Sequence, residues 1–194
     1  VSLITPDTIQ GSGPGATLNT ATTATLSPVT GSAADAAQVN PPGAYQGWAV
    51  GDLIRVCGRG YVTTTATSTT MTILLASRVG NAGTTYVTLA TSAGVATGTG
   101  ALTGLPWQLD GLIRCTNVAT TGNTLSTQFC MWLQNSASPA VATTNTVMIS
   151  GPNASGETAA AVDTTQVQGI SLRGTLAGAN ATIVCTQWFV EALC

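Results

Sequence analysis

Residues 107–115, WQLDGLIRC, alternate with a strict period of two. Trp107, Leu109, Gly111, Ile113 and Cys115 fall on one face, and Gln108, Asp110, Leu112 and Arg114 on the other. An extended strand produces that pattern, because successive side chains point to opposite sides of a sheet, whereas a helix would scatter the apolar residues around its axis. Pro106 stands just before the run, where its missing N–H costs a strand least. Turn-rich sequence flanks it, GTGALTGLP before and NVATTGN after. The segment is therefore expected to be a central strand of a two-sheet sandwich.

The same period recurs along the chain. In 53–62, LIRVCGRGYV, Ile54, Val56, Gly58, Gly60 and Val62 share one face and Arg55, Cys57, Arg59 and Tyr61 the other. The two glycines in a strand point to a close backbone approach or a bulge. Met71, Ile73 and Leu75 align in 70–78, with a turn at 79–83 and a returning strand at 84–91. Phe129, Met131 and Leu133 alternate against Gln128, Cys130 and Trp132 in 125–135, and 147–149 is a short apolar candidate. Strands at 167–176 and 181–193 are expected to form a hairpin about Ala177-Gly178-Ala179-Asn180. In the last strand Ile183, Cys185, Gln187 and Phe189 oppose Val184, Thr186, Trp188 and Val190. Both faces are partly apolar, as expected where core covers one side and a subunit the other. No 3.6-residue period occurs, and seven or eight short antiparallel strands imply an all-β sandwich.

Residues 1–46 lack any such rhythm. They hold GSGPG at 11–15, Pro28, Asn40-Pro41-Pro42-Gly43 and long Thr/Ala runs. This stretch is expected as an extended arm that orders by lying on a partner, with 47–194 as the compact domain. Leu3, Ile4, Ile9, Leu18, Leu26 and Val29 are its spaced apolar side chains, the candidates for docking.

Charged residues are only 6% of the 194, against about 25% in an average soluble domain. A dispersed monomer usually carries more charge than this, so copies of the chain or a partner are expected to cover part of the surface. The five basic residues are all arginine (Arg55, Arg59, Arg78, Arg114, Arg173), and they form no run that could release counterions from nucleic acid. No apolar stretch approaches the roughly 18–20 residues of a membrane span, and the opening residues lack the basic start and apolar core of a signal peptide.

The chemistry available is narrow. With neither His nor Lys, proton transfer near neutral pH falls to seven carboxylates and five thiols. A cysteine nucleophile would have no imidazole to deprotonate it. Cys57, Cys115, Cys130, Cys185 and Cys194 form no C-x-x-C pair, so no metal site and no cofactor is expected. The four that fall in strands are expected as free thiols in a reducing compartment. Asp52 follows Gly51 in a turn. Asp110 and Arg114 share a face but lie about 13 Å apart at roughly 3.3 Å per residue, so each should pair across to another strand, for example with Arg55, Arg173 or Glu191. No catalytic residue is assigned. Trp48, Trp132 and Trp188 could stack on sugar rings, or anchor a core or subunit interface.

The order W-x-x-G-D-L-I-R-V (48–56), T-I-L-L (72–75), P-W-Q-L-D (106–110), an apolar strand at 128–133, A-N-A-T-I (179–183) and F-V-E-A-L (189–193) resembles the jelly-roll proteins of tailed-phage heads. These are minor capsid, decoration and head-fibre proteins with a tumour-necrosis-factor-like sandwich, and the likeness covers 47–194. It implies a jelly-roll β-sandwich of about eight strands, assembled as a homotrimer on the capsid exterior and made in the bacterial cytoplasm. The major capsid protein would be its partner, with neither nucleic acid nor membrane bound. Trp132, Trp188 and Phe189 are the candidates for the trimer interface. A glycan-binding adhesion module on a phage head or tail is the alternative.

Overall fold

The computed structural model describes residues 17–20, 22–27, 37–39, 48–65, 67, 69–79, 86–92, 94–97, 100–134, 146–150, 158–166 and 168–193. Their regular structure is entirely strand. The elements are β1 (Thr17–Leu18), β2 (Thr23–Thr25), β3 (Ala37–Val39), β4 (Leu53–Thr64), β5 (Thr70–Val79), β6 (Val87–Thr91) and β7 (Val95–Ala96). They continue with β8 (Leu105–Cys115), β9 (Leu125–Gln134), β10 (Thr146–Ser150), β11 (Thr158–Ala160), β12 (Gln168–Leu176) and β13 (Ala181–Leu193). Two antiparallel sheets result, as in a β-sandwich. The larger runs β1-β13-β4-β8-β9-β10, with β11 also on β9; the smaller runs β2-β12-β5-β6, with β3 on β12 and β7 on β5.

The period-two residues of the sequence make one core between the sheets. On β8, Leu105, Trp107, Leu109, Gly111, Ile113 and Cys115 are all buried, while Gln108, Asp110, Leu112 and Arg114 are half-buried or exposed. Ile54, Val56 and Val62 from β4 and Phe129, Met131 and Leu133 from β9 join them from the larger sheet, facing Met71, Ile73, Leu75, Ile170 and Leu172 of the smaller. Gly58 and Gly60 of β4 provide room for the largest core side chain. A Cβ on Gly60 would stand 2.8 Å from the Trp107 indole nitrogen, and one on Gly58 3.0 Å from Leu172 of the opposite sheet. The indole, pressed against β4, donates to the Val184 carbonyl at 3.2 Å. Its one polar atom is thereby satisfied inside the core.

Three expectations are corrected. First, 177–180 does not close a hairpin: β12 pairs with β2, β3 and β5, and β13 with β1 and β4. The turn carries the chain from one sheet to the other. Second, β13 bulges between Cys185 and Gln187 in its pairing with β4. One extra residue reverses the facing of everything beyond it, so Ile183 and Cys185 share the core side with Trp188 and Val190, not with Gln187 and Phe189. The bulge is held by its own side chains: the Cys185 thiol donates to the Gln187 carbonyl at 3.3 Å, and the Thr186 hydroxyl to the Arg59 carbonyl at 3.2 Å.

Third, part of the stretch assigned to the arm belongs to the sandwich. β1 pairs with β13, β2 and β3 both pair with β12, and Leu18 and Leu26 are 2% and 0% exposed. Leu26 lies against Gly174, where an added Cβ would come 2.7 Å from its Cδ1. These strands are two or three residues long and rich in threonine and alanine, too short to print a period.

Candidate functional site

The outer face of the larger sheet carries most of the chemistry that the described residues offer. Antiparallel register sets its side chains in rows across the strands. Phe189, Cys57, Asp110 and Cys130 stand directly opposite one another on β13, β4, β8 and β9. One row along are Gln187, Arg59, Gln108 and Trp132; on the other side are Glu191, Arg55, Leu112 and Gln128. Leu193, Leu53 and Arg114 close one end, and Val184, Tyr61 and Pro106 the other.

Arg55, Arg59, Arg114, Asp110 and Glu191 are the charged residues of these rows, and two of them pair on a diagonal. Arg55 donates from Nη2 to Asp110 Oδ2 at 2.6 Å and from Nε to Oδ1 at 3.2 Å. The guanidinium holds the Asp110 carboxyl below the ordinary carboxylate range; burial opposes this, and the neighbouring Cys57 thiol assists it. Cys57 is buried, though it lies on the outer side of β4. That burial, with the Asp110 charge adding to it, pushes the thiol up to about 11. A thiol so poised stays protonated near neutral pH and is a poor nucleophile. Among the described residues, no three acidic, cysteine or histidine side chains converge on a point that could hold a metal ion.

Apolar area surrounds that diagonal. Leu112 is 38% exposed and Tyr61 39%, while Phe189, Trp132, Leu53, Leu193 and Val184 are half-buried. The smaller sheet's outer face differs, with Thr23, Thr25, Thr72 and Thr175 around Arg173, whose guanidinium lies 4.0 Å over the Tyr86 ring.

The sequence candidates distribute unevenly over this geometry. Trp132 and Phe189 are on the outer face in adjacent rows, with two strands, β4 and β8, between them. Trp188 is not: it is 1% exposed within its own chain, turned inward by the bulge, and is withdrawn as an interface or sugar-stacking residue. Trp48, 3% exposed, is withdrawn as a sugar platform too, leaving Trp132 as the one tryptophan of four outside the core. Of the arm candidates, Leu18 and Leu26 are core; Leu3, Ile4, Ile9 and Val29 lie outside the described residues. Asp52 is a turn residue whose carboxylate accepts the Ala49 N–H at 2.7 Å. Arg55, named in the sequence among the cross-strand partners open to Asp110 and Arg114, is the one that Asp110 takes. The share of Cys57 in that pair left no trace there, because cross-strand register is invisible to a period-two reading.

Comparison with family models, with curated proteins and with solved structures finds no match.

Proposed function

We propose that this chain is a non-catalytic structural protein of a phage particle, a homotrimer that decorates and reinforces the outside of the capsid. The observation that carries the reading is the strand pairing. A long antiparallel ribbon rolled into a sandwich pairs its first strand with its last, its second with its last but one, and so inward, and rolling brings the outer strands beside the inner ones. Here β1 pairs with β13, β2 with β12, β4 with β8 and β5 with β6, while β13 also lies beside β4 and β12 beside β5. That pattern supports an eight-strand jelly roll, with β9, β10 and β11 extending one edge of it. It is the architecture that the resemblance to phage-head proteins implies.

The outer face of the larger sheet supports the trimeric part of the reading. It joins Phe189, Trp132, Leu112 and Tyr61 to a charge pair already neutralised within the chain, and apolar area of that kind is what subunit interfaces bury at their centre. The test has two arms. Light scattering at micromolar concentration should give three times the 19.3 kDa chain mass, and the purified protein should co-sediment with undecorated phage heads. A clean monomer would remove the assembly. Binding to host cells or polysaccharide without heads would replace decoration with adhesion, the reading in which Trp132 stacks on a sugar.

A further inference from the structure

Among the described residues, one edge of β13 is largely unpaired. Its full length pairs with β4 on one side, but on the other only Ile183 and Val184 are paired, with Leu18 and Thr17 of β1. Over residues 185–193 no described strand pairs on that side. Along it Trp188 and Val190 turn into the core and Phe189 and Leu193 outward, with a single charge at Glu191, a composition that favours strand pairing. Natural edges of this length are covered or defended, and one charge is a slight defence.

The chain's own continuation is badly made to cover it. The register of β1 directs the residues before Thr17 along β13 towards Leu193. Continued without a break, it would set Gly11-Ser12-Gly13-Pro14-Gly15 against residues 186–190 and bring Leu193 level with Thr8. Three glycines and a proline are weak in a strand and lack side chains to pack. The strand-forming residues Val1, Leu3, Ile4 and Thr5 would overshoot the end of β13. Sequence and edge are therefore out of step within one chain, while the glycine-rich composition of 11–15 is that of a linker.

We infer that the β13 edge is the docking site for residues 1–10 of a neighbouring copy, which add to it as an extra strand. This rests on the trimeric reading above and gives the segment a seat on its sister chain in place of the capsid surface. In a closed ring each tether covers the next subunit's edge, so no edge stays open and no filament grows. The main chain supplies the hydrogen bonds, and the alternating Leu3 and Thr5 against Ile4 give the added strand an inner and an outer face. Tethering raises the effective concentration of each strand, so a weak pairing closes when three form together.

Amide hydrogen exchange tests it, with light scattering on the same samples. In the assembled full-length chain, amides of 187–193 that point away from β4 should be protected. Deleting residues 1–10 should lower that protection at least tenfold, leave amides bonded to β4 unchanged, and be reversed by a synthetic peptide of residues 1–10. A trimer whose edge amides ignore both deletion and peptide overturns the exchange and leaves the trimer standing. Protection that survives dilution to monomer overturns it as well, since the segment would then cover its own edge. A chain that is monomeric at micromolar concentration and has unprotected edge amides removes the trimer and the exchange together.

Discussion

Arg55 on β4 and Asp110 on β8 form a two-pronged ion pair on the diagonal of the larger sheet's outer face, with Nη2 2.6 Å from Oδ2. Their side chains are 43% and 38% exposed, so solvent and salt screen the attraction strongly. The pair matters more as placement than as stability. It neutralises the two charges nearest the centre of that face without calling on a partner molecule.

The Asp110 carboxyl has a folded-state pKa below its unfolded value of about 3.9. Its contribution to stability is therefore present above that value and is lost as pH falls through the lower, folded one. Asp110→Asn should be less stable than the parent at pH 7, by urea midpoint, and the two should converge on acidification below pH 4. A gap that stays constant down to pH 2 would show that packing, and not ionisation, accounts for the effect.

Trp188 and Phe189 are adjacent in sequence and opposite in role. Trp188 is 1% exposed in the core, and Trp188→Ala should cost about 3–5 kcal/mol of unfolding free energy. Phe189 stands on the outer face, opposite Cys57. Phe189→Ala should leave the urea midpoint of the dissociated chain nearly unchanged and lower the mass seen by light scattering. The reverse pattern would mean that the bulge at 185–187 does not set the facing described.

The segment before β4 gives a truncation series. Leu26 is fully buried, so Leu26→Ala should cost about 2–5 kcal/mol, as for any core leucine. Removing residues 1–16 should leave a folded chain, because β1 begins at Thr17. Removing 1–40 takes away β1, β2, β3 and two core leucines, and should give insoluble or unfolded protein by circular dichroism. A cooperative thermal transition in the 1–40 deletion would restore the segment as a separate arm.

What the sequence disclosed follows from where its signal is strong. Eleven-residue β8 is buried on alternate positions, and its inward and outward sets are those the WQLDGLIRC pattern implies. The glycines of β4 announced a close approach, and it is made by the Val184 carbonyl and the Trp107 ring at Gly60 and by Leu172 and the same ring at Gly58. The misreadings have physical causes. A turn such as AGAN marks where the chain reverses and says nothing of which sheet it enters. A bulge adds one residue without changing composition, so Trp188 and Phe189 exchanged faces unseen. Strands of two or three residues, as at Thr23–Thr25, are fixed by their neighbours' open edges and not by a pattern of their own. The Arg55–Asp110–Cys57 grouping depends on the register of two neighbouring strands, which hydrophobic alternation leaves free.

The thiols report on the outer face directly. Cys57, Cys115, Cys130 and Cys185 are all free, but three are buried and Cys130 is half-buried, in the row of Asp110 and Phe189. Burial pushes the Cys57 and Cys185 thiols up to about 11, with the Asp110 charge adding to it at Cys57, and thiolate is the reactive form. Alkylation of the native chain at pH 8, mapped by peptide mass, should therefore modify Cys130 well ahead of the other three. If the outer face of the larger sheet joins subunits, assembly covers Cys130. Its alkylation rate should then fall as protein concentration rises through the range where scattering reports the trimer, and Phe189→Ala should restore the fast rate. A Cys130 rate that is the same for monomer and trimer would place the subunit contact elsewhere on the sandwich.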